Sequence, residues 1–190
     1  MSLFTSDRER RLWFWTLAVV LAIYATLGLT PRLAGALRDS DQLQAVLFIV
    51  AMFLVGATVV TQGLKLRPGG AEIGVALGIA AVYLMLFVRM ALAERSHLIE
   101  YGVVAVFIHE ALRERARQGR RVPVPAFLAV VAASLVGVLD ESIQVFLPNR
   151  VFDPRDIGFN VLAGLMAVLA SFILTWARRR GGNFRRNWDR

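Results

Sequence analysis

The chain has 190 residues, of which 57% are apolar and 19% charged, and it carries a net charge of +8 with no cysteine. The lack of cysteine excludes a disulfide framework, a thiolate metal site and a cysteine nucleophile. The charges cluster between long apolar runs, which is typical of a protein with several membrane spans and not of a soluble domain. Arginine-rich loops follow from the positive-inside rule, so the basic charge does not indicate nucleic-acid binding.

A membrane-spanning helix needs about 20 apolar residues, and six segments approach this length. The first three spans are expected near Leu12 to Leu29, Leu43 to Thr61 and Ile73 to Ala93. The first apolar run is longer than the core of a signal peptide, so we predict that it is retained as a span. Pro31 follows it, as expected for the punctuation between spans.

The other three spans are expected near His97 to Leu112, Val124 to Leu147 and Ile157 to Ala177. Pro148 closes the fifth span, and the arginine run from Arg178 to Arg180 follows the sixth. With six spans, sixteen basic residues lie on the side that holds both termini and five on the other. This bias predicts that both termini are cytoplasmic.

The sequence therefore predicts an all-α polytopic membrane protein with six transmembrane helices. We expect one transmembrane domain over residues 1–190, which ends in a mobile basic tail from about residue 181 to residue 190. The arginines of this tail and of the inner loops are expected to contact anionic membrane lipids. No nucleic-acid motif, phosphate-binding loop or nucleophile elbow is recognisable in the chain.

Two adjacent carboxylates, Asp140 and Glu141, lie at the end of the fifth apolar segment. A charge at bilayer depth costs several kcal/mol unless it is paired or hydrated, so such residues usually mark function. The alternative is a hydrated helix end with capping acids. In the predicted topology, several polar residues distant in sequence converge on this outer leaflet, which favours a functional cluster.

Helical spacing places these polar residues on shared faces. Gln144 shares a face with Asp140 and Glu141, and Asn160 lies one turn after Asp156 on the sixth helix. Asp156 could also cap that helix. The predicted cluster comprises His97, Glu100, Tyr101, Asp140, Glu141, Gln144, Arg150, Asp156 and Asn160.

Asp140 and Glu141 cannot both stay charged in a dry site without a cation. Arg89, Arg150 and Arg155 are candidate partners, because arginine forms bidentate pairs with carboxylates. A divalent metal such as Mg²⁺ or Ca²⁺ would be the other solution. No recognised metal-binding loop is present, so no metal site is predicted, and no cofactor can be named.

The run from Ser96 to Tyr101 (SHLIEY), followed about 40 residues later by Asp140 to Gln144 (DESIQ), resembles the VanZ-like family. The continuation through Leu147 to Arg150 (LPNR), Asp156 and Asn160 is also similar, and the resemblance extends over about residues 89–168. It implies a bacterial integral membrane protein. The family is named after an accessory factor of glycopeptide resistance that lowers susceptibility to teicoplanin, but the resemblance supplies no reaction.

The function favoured by these observations is binding of an envelope-lipid headgroup or lipid-linked precursor by an outer-leaflet polar pocket of the bacterial cytoplasmic membrane. One alternative is an accessory structural subunit that packs against other membrane proteins. Another is an enzyme that modifies such a lipid, with the carboxylates and His97 as acid and base or in metal-assisted hydrolysis. An association with glycopeptide resistance is implied only by the resemblance.

Overall fold

The structure is a computed structural model, and it describes residues 3–26, 70–89, 92–147 and 152–188. These residues form five α-helices and no strand, which agrees with the all-α prediction. The helices are α1 (Asp7–Thr26), α2 (Gly70–Arg89), α3 (Leu92–Arg117), α4 (Pro125–Gln144) and α5 (Pro154–Trp188). The predicted second span, residues 43–61, lies outside the described residues.

The helices differ from the predicted spans chiefly at their ends. Helix α3 continues five residues beyond Leu112, and α5 continues eleven residues beyond Ala177. Apolar composition locates the part of a helix that fits lipid, whereas the helix itself can continue into water with charged residues. Helices α4 and the Pro154–Ala177 part of α5 are long and apolar enough to cross a membrane, and Ile73–Leu86 is a shorter apolar helix.

The turn between α3 and α4 has clear local causes. Gly119 adopts a left-handed backbone with φ +83°. The Arg120 N–H donates to the Arg115 carbonyl and the Gly119 N–H donates to the Ala116 carbonyl, which is the Schellman pattern of helix termination. Pro125 then occupies the first turn of α4, where its missing N–H costs nothing.

Contacts divide the chain into two units, residues 1–27 with 81–173, and residues 28–80 with 174–190. In the first unit, the beginning of α1 pairs with the end of α3 through Arg8 and Glu110. At the opposite end, Tyr24 of α1 donates a hydrogen bond to the Val136 carbonyl of α4. Of the second unit, the described residues are the beginning of α2 and the end of α5. The single domain predicted for residues 1–190 stays a prediction.

Small residues form the centre of the first unit. Gly102 of α3 lies against Ala167 of α5, and Gly164 of α5 lies against Ala105 and Ala133. Such residues let helices approach closely, which is how helices associate in lipid. The buried core comprises Ile23, Val104, Ala105, Ile108, Ala129, Ala133, Ala167 and Val168. Large apolar side chains such as Phe127, Leu135 and Phe172 face outward instead.

Candidate functional site

The beginning of α3, the end of α4 and the beginning of α5 meet at one end of the first unit and bring polar side chains together. Tyr101, Glu141 and Asn160 are fully buried, and Asp140 is 1% exposed. Gln144 and His97 are also buried. Burial of so many polar groups is costly unless they bond to one another.

Helix α3 contributes His97 and Tyr101, one turn apart, with their rings stacked at a centroid distance of 5.8 Å. The Tyr101 hydroxyl donates a 2.7 Å hydrogen bond to Oδ2 of Asp140 on α4. The other oxygen, Asp140 Oδ1, is buried and has no hydrogen-bond partner among the described residues.

Helix α5 contributes Asn160, whose Oδ1 accepts a 2.9 Å hydrogen bond from Nδ1 of His97. An amide oxygen only accepts, so this bond places a proton on Nδ1. The second ring nitrogen, Nε2, lies 3.8 Å from Oδ2 of Asp156. The Asn160 amide nitrogen is buried without a hydrogen-bond partner in the described part of the chain.

Glu141 is held from two sides. Gln144 Nε2 donates to its Oε1 at 3.0 Å, as expected for residues three apart on one helix. The Asp153 backbone N–H donates to its Oε2 at 3.3 Å. Glu141 therefore joins the end of α4 to the segment that leads into α5.

The cap of α5 is Asp153 and not Asp156. Asp153 Oδ1 accepts a 2.9 Å hydrogen bond from the Arg155 N–H, and Pro154 takes the first helical position. Asp156 lies one residue further, in the first turn, where the positive end of the helix dipole favours a carboxylate. The side chain of Asp156 faces His97.

Two of the three predicted arginine partners, Arg89 and Arg155, do not pair with Asp140 or Glu141. Arg89 and Arg155 are exposed, and neither forms a salt bridge with Asp140 or Glu141. Arg150 lies outside the described residues. Glu100 is partly buried in the turn between His97 and Tyr101.

Gly137 belongs to this site although it is not among the residues predicted from the sequence. A Cβ on Gly137 would lie 2.6 Å from Asn160 Nδ2 and 2.9 Å from Asn160 Cβ. Only glycine lets Asn160 lie against α4 at this point. The signal was present in the sequence, because Ala129, Ala133 and Gly137 repeat at four-residue spacing before Glu141.

A second set of polar contacts lies at the other end of α3. Arg8 bonds Glu110 and Glu114 at 3.1 and 3.2 Å, and Arg115 bonds the fully buried Glu9 at 2.7 Å. From His97 to Glu114 the helix rises about 25 Å at 1.5 Å per residue. The two polar ends are thus separated by roughly the thickness of a bilayer hydrocarbon core.

Together, the apolar helices, the small-residue contacts and the outward-facing large apolar side chains indicate an α-helical membrane protein. A family model described as VanZ/LLP1 matches residues 11–175. The chain belongs to this family, as the resemblance predicted. No curated protein and no solved structure matches the chain.

Proposed function

We propose that this protein binds the headgroup of an envelope lipid or lipid-linked precursor through the polar cluster of α3, α4 and α5. The observation that carries the proposal is an apolar groove between α4 and α5 that ends at the level of the cluster along these helices. The groove has a volume of about 570 Å³. The polar cluster would contact the lipid headgroup, and the apolar groove would contact an acyl chain.

The groove extends from Ala126 to Val138 along α4 and from Ile157 to Leu169 along α5. Because the two helices are antiparallel, Val138 and Ile157 lie at one end of it. Val138 is two residues before Asp140, and Ile157 directly follows Asp156. One end of the groove therefore lies at the same level along the helices as the polar cluster, and the groove runs away from that level along α4 and α5.

An acyl chain is the occupant that suits this groove. Ser134 is the polar side chain in the lining, and its hydroxyl donates to the Val130 carbonyl of its own helix. The α4 side spans about 18 Å at 1.5 Å per residue. That length is similar to one leaflet of a hydrocarbon core about 30 Å thick.

The proposal includes the topology. Six spans, with both termini cytoplasmic, place the ion pairs of Arg8 and Arg115 on the inner side of the bacterial cytoplasmic membrane. The polar cluster then lies at the depth of the outer-leaflet headgroups. The basic excess of the loops supports this orientation.

The headgroup chemistry follows from the donors and acceptors present. Carboxylate oxygens of Asp140 and Glu141 accept hydrogen bonds from hydroxyls or amines, and the Asn160 amide nitrogen has a donor to spare. Arg150 is the candidate for holding a phosphate. We therefore propose a phosphate-bearing lipid with hydroxyl or amine groups.

Native mass spectrometry of the protein extracted from its own membrane in mild detergent tests this. We expect a stoichiometric lipid-sized adduct in the wild type, lost in Glu141→Ala and in Arg150→Ala. Glu110→Ala, at the opposite end of α3, is the matched control and should keep the adduct. Leu135→Trp, which narrows the groove without altering the cluster, should weaken it.

An equal adduct in the wild type and in Glu141→Ala would overturn the lipid proposal. If the protein instead always extracts with partner polypeptides and Glu141→Ala destabilises it, the accessory-subunit alternative is favoured, because the cluster then serves to hold the helices together. Turnover of a lipid phosphate that is lost in His97→Ala would favour the enzyme. Teicoplanin susceptibility of a deletion strain tests the resistance association separately.

A further inference from the structure

Three side chains in the cluster present ligand atoms to one another. One nitrogen of His97 and one carboxylate oxygen each of Glu141 and Asp156 all lie within 4.8 Å of one another. They come from α3, α4 and α5, respectively. Residues from three helices thus converge on one point, with one imidazole and two carboxylates.

The orientation of His97 suits a ligand. Its Nδ1 proton is donated to Asn160 Oδ1, so in the neutral ring Nε2 carries a lone pair. That lone pair is 3.8 Å from Oδ2 of Asp156, too far for a hydrogen bond. A metal-binding histidine almost always donates its other N–H to such an acceptor, which fixes the ring and its tautomer.

Glu141 is positioned in a similar way. Its two oxygens accept hydrogen bonds from Gln144 and from the Asp153 backbone, and each retains a lone pair. Asn160 and Glu141, which orient or supply ligand atoms, are both fully buried. The Asn160 amide nitrogen is buried without a hydrogen-bond partner among the described residues.

Charge provides the third reason. Glu141 lies beside Asp140, and no lysine or arginine in residues 3–26, 70–89, 92–147 or 152–188 forms a salt bridge with either of these two. Carboxylates so placed repel each other strongly at low dielectric. A divalent cation bound at Glu141 would offset this repulsion.

We infer that His97, Glu141 and Asp156 bind one divalent transition-metal ion, with Zn²⁺ the ion of best fit. Imidazole donors favour zinc and its neighbours, whereas Mg²⁺ and Ca²⁺ prefer oxygen alone. Ligands of zinc lie about 2.0–2.2 Å from the ion, so binding would draw the three atoms together by roughly 1 Å. Three protein donors leave a fourth position for water or another ligand. The inference does not depend on lipid binding.

The chain offers a precise control, because it contains two histidines and no cysteine. His109 is also buried on α3, three turns from His97. The protein, purified without a histidine tag and treated with chelator, is titrated with Zn²⁺ alone by calorimetry. X-ray absorption then reports whether imidazole coordinates the ion.

We expect one Zn²⁺ per chain with a single imidazole ligand. His97→Gln should remove the imidazole signal and weaken binding at least tenfold, whereas His109→Gln should keep both. Asp156→Asn should also weaken binding, and Asn160→Ala should weaken it 10–100-fold by freeing the ring. Asp153→Asn, which retains a cap, should bind as the wild type does.

The absence of stoichiometric Zn²⁺ binding by the folded wild type would overturn the inference. An imidazole signal that His109→Gln abolishes would also overturn it. If His97→Gln does not fold, the wild type and His109→Gln decide the question, because His97 is then the remaining imidazole. A wild-type protein that binds Zn²⁺ but carries no lipid adduct would reject the proposed function and leave this metal site standing.

Discussion

Gly137 of α4 and Asn160 of α5 are in such close contact that a Cβ on Gly137 would lie 2.6 Å from the Asn160 amide nitrogen. This contact sets the position of the amide that orients His97. The close packing of α4 against α5 at this point and the geometry of the cluster therefore depend on the same pair. A substitution at Gly137 should therefore change the orientation of His97 through Asn160.

Gly137→Ala is expected to lower the free energy of unfolding by about 1–3 kcal/mol, because overpacking forces side chains and backbone apart. Gly158→Ala is the matched control, since a Cβ there meets nothing within 4 Å. That variant should be neutral or more stable, as helical alanine is favoured over glycine. Thermal unfolding in detergent measures both, and equal melting temperatures would contradict the close contact.

Tyr101→Phe removes the donor to Asp140 Oδ2, while Oδ1 already has no partner in the described structure. A buried acceptor left without a donor costs about 1–3 kcal/mol, and more when charged. We expect a loss of this size in unfolding free energy. In an Asp140→Ala background the acceptor is absent, so the same change should cost clearly less, and a double-mutant cycle with no coupling would argue against the bond.

Asp153→Ala should destabilise α5 by about 1 kcal/mol, because the Arg155 N–H loses its capping oxygen. Asp153→Asn retains an acceptor and should change little. Hydrogen exchange of the first turn of α5 reports the local effect. If Asp156→Ala frayed this turn instead, the cap would have been assigned to the wrong residue.

The buried Glu9 at the other end of the bundle makes stability depend on pH. Burial alone would raise the pKa of Glu9, but hydrogen bonds from Thr5 and the charge of Arg115 outweigh it and lower this pKa below 4.5. A carboxyl with a lowered pKa stabilises the fold fully above its unfolded value, and that contribution is lost as pH falls through the folded value.

We therefore expect the difference in melting temperature between the wild type and Glu9→Gln to be constant near neutral pH. This difference should shrink as the pH falls below about 4.5 and approaches the pKa of Glu9 in the folded protein. Asp7→Asn, an exposed change in the same turn, is the control. A difference that grew on acidification would mean that the pKa is raised.

The proposed topology can be tested directly because the chain has no cysteine. Arg155→Cys, at the beginning of α5, should react with a membrane-impermeant maleimide in intact spheroplasts. Arg120→Cys, in the turn after α3, should react only after permeabilisation. Both residues are exposed, so access and not burial is compared. The opposite labelling pattern would mean that the orientation is reversed and that the cluster lies on the cytoplasmic side.

The sequence predicted the helical class, the family and the spacing of polar residues within each helix. The pair of Glu141 and Gln144, three residues apart, is bonded as helical geometry suggests. Partnerships between helices, such as Tyr101 with Asp140, depend on the packing of α3 against α4, which periodicity alone does not specify. Whether the cluster binds a ligand stays a prediction.

Two further differences have simple physical reasons. Asp153 caps α5 in place of Asp156, because Pro154 is suited to the first helical position and so moves the helix start upstream. Arg155, which is near in sequence, remains exposed. For a long side chain at a helix end, extending into water costs less free energy than reaching a buried carboxylate.

The alanine-rich core has a practical consequence for mutagenesis. Ala105, Ala129, Ala133, Ala163 and Ala167 are buried among the helices. A scan that truncates each side chain to alanine would pass over these positions and report the interior as unimportant. The informative scan for this protein adds volume, with valine or leucine at each alanine. Variants that fail to fold in such a scan would identify the positions at which the helices pack against one another.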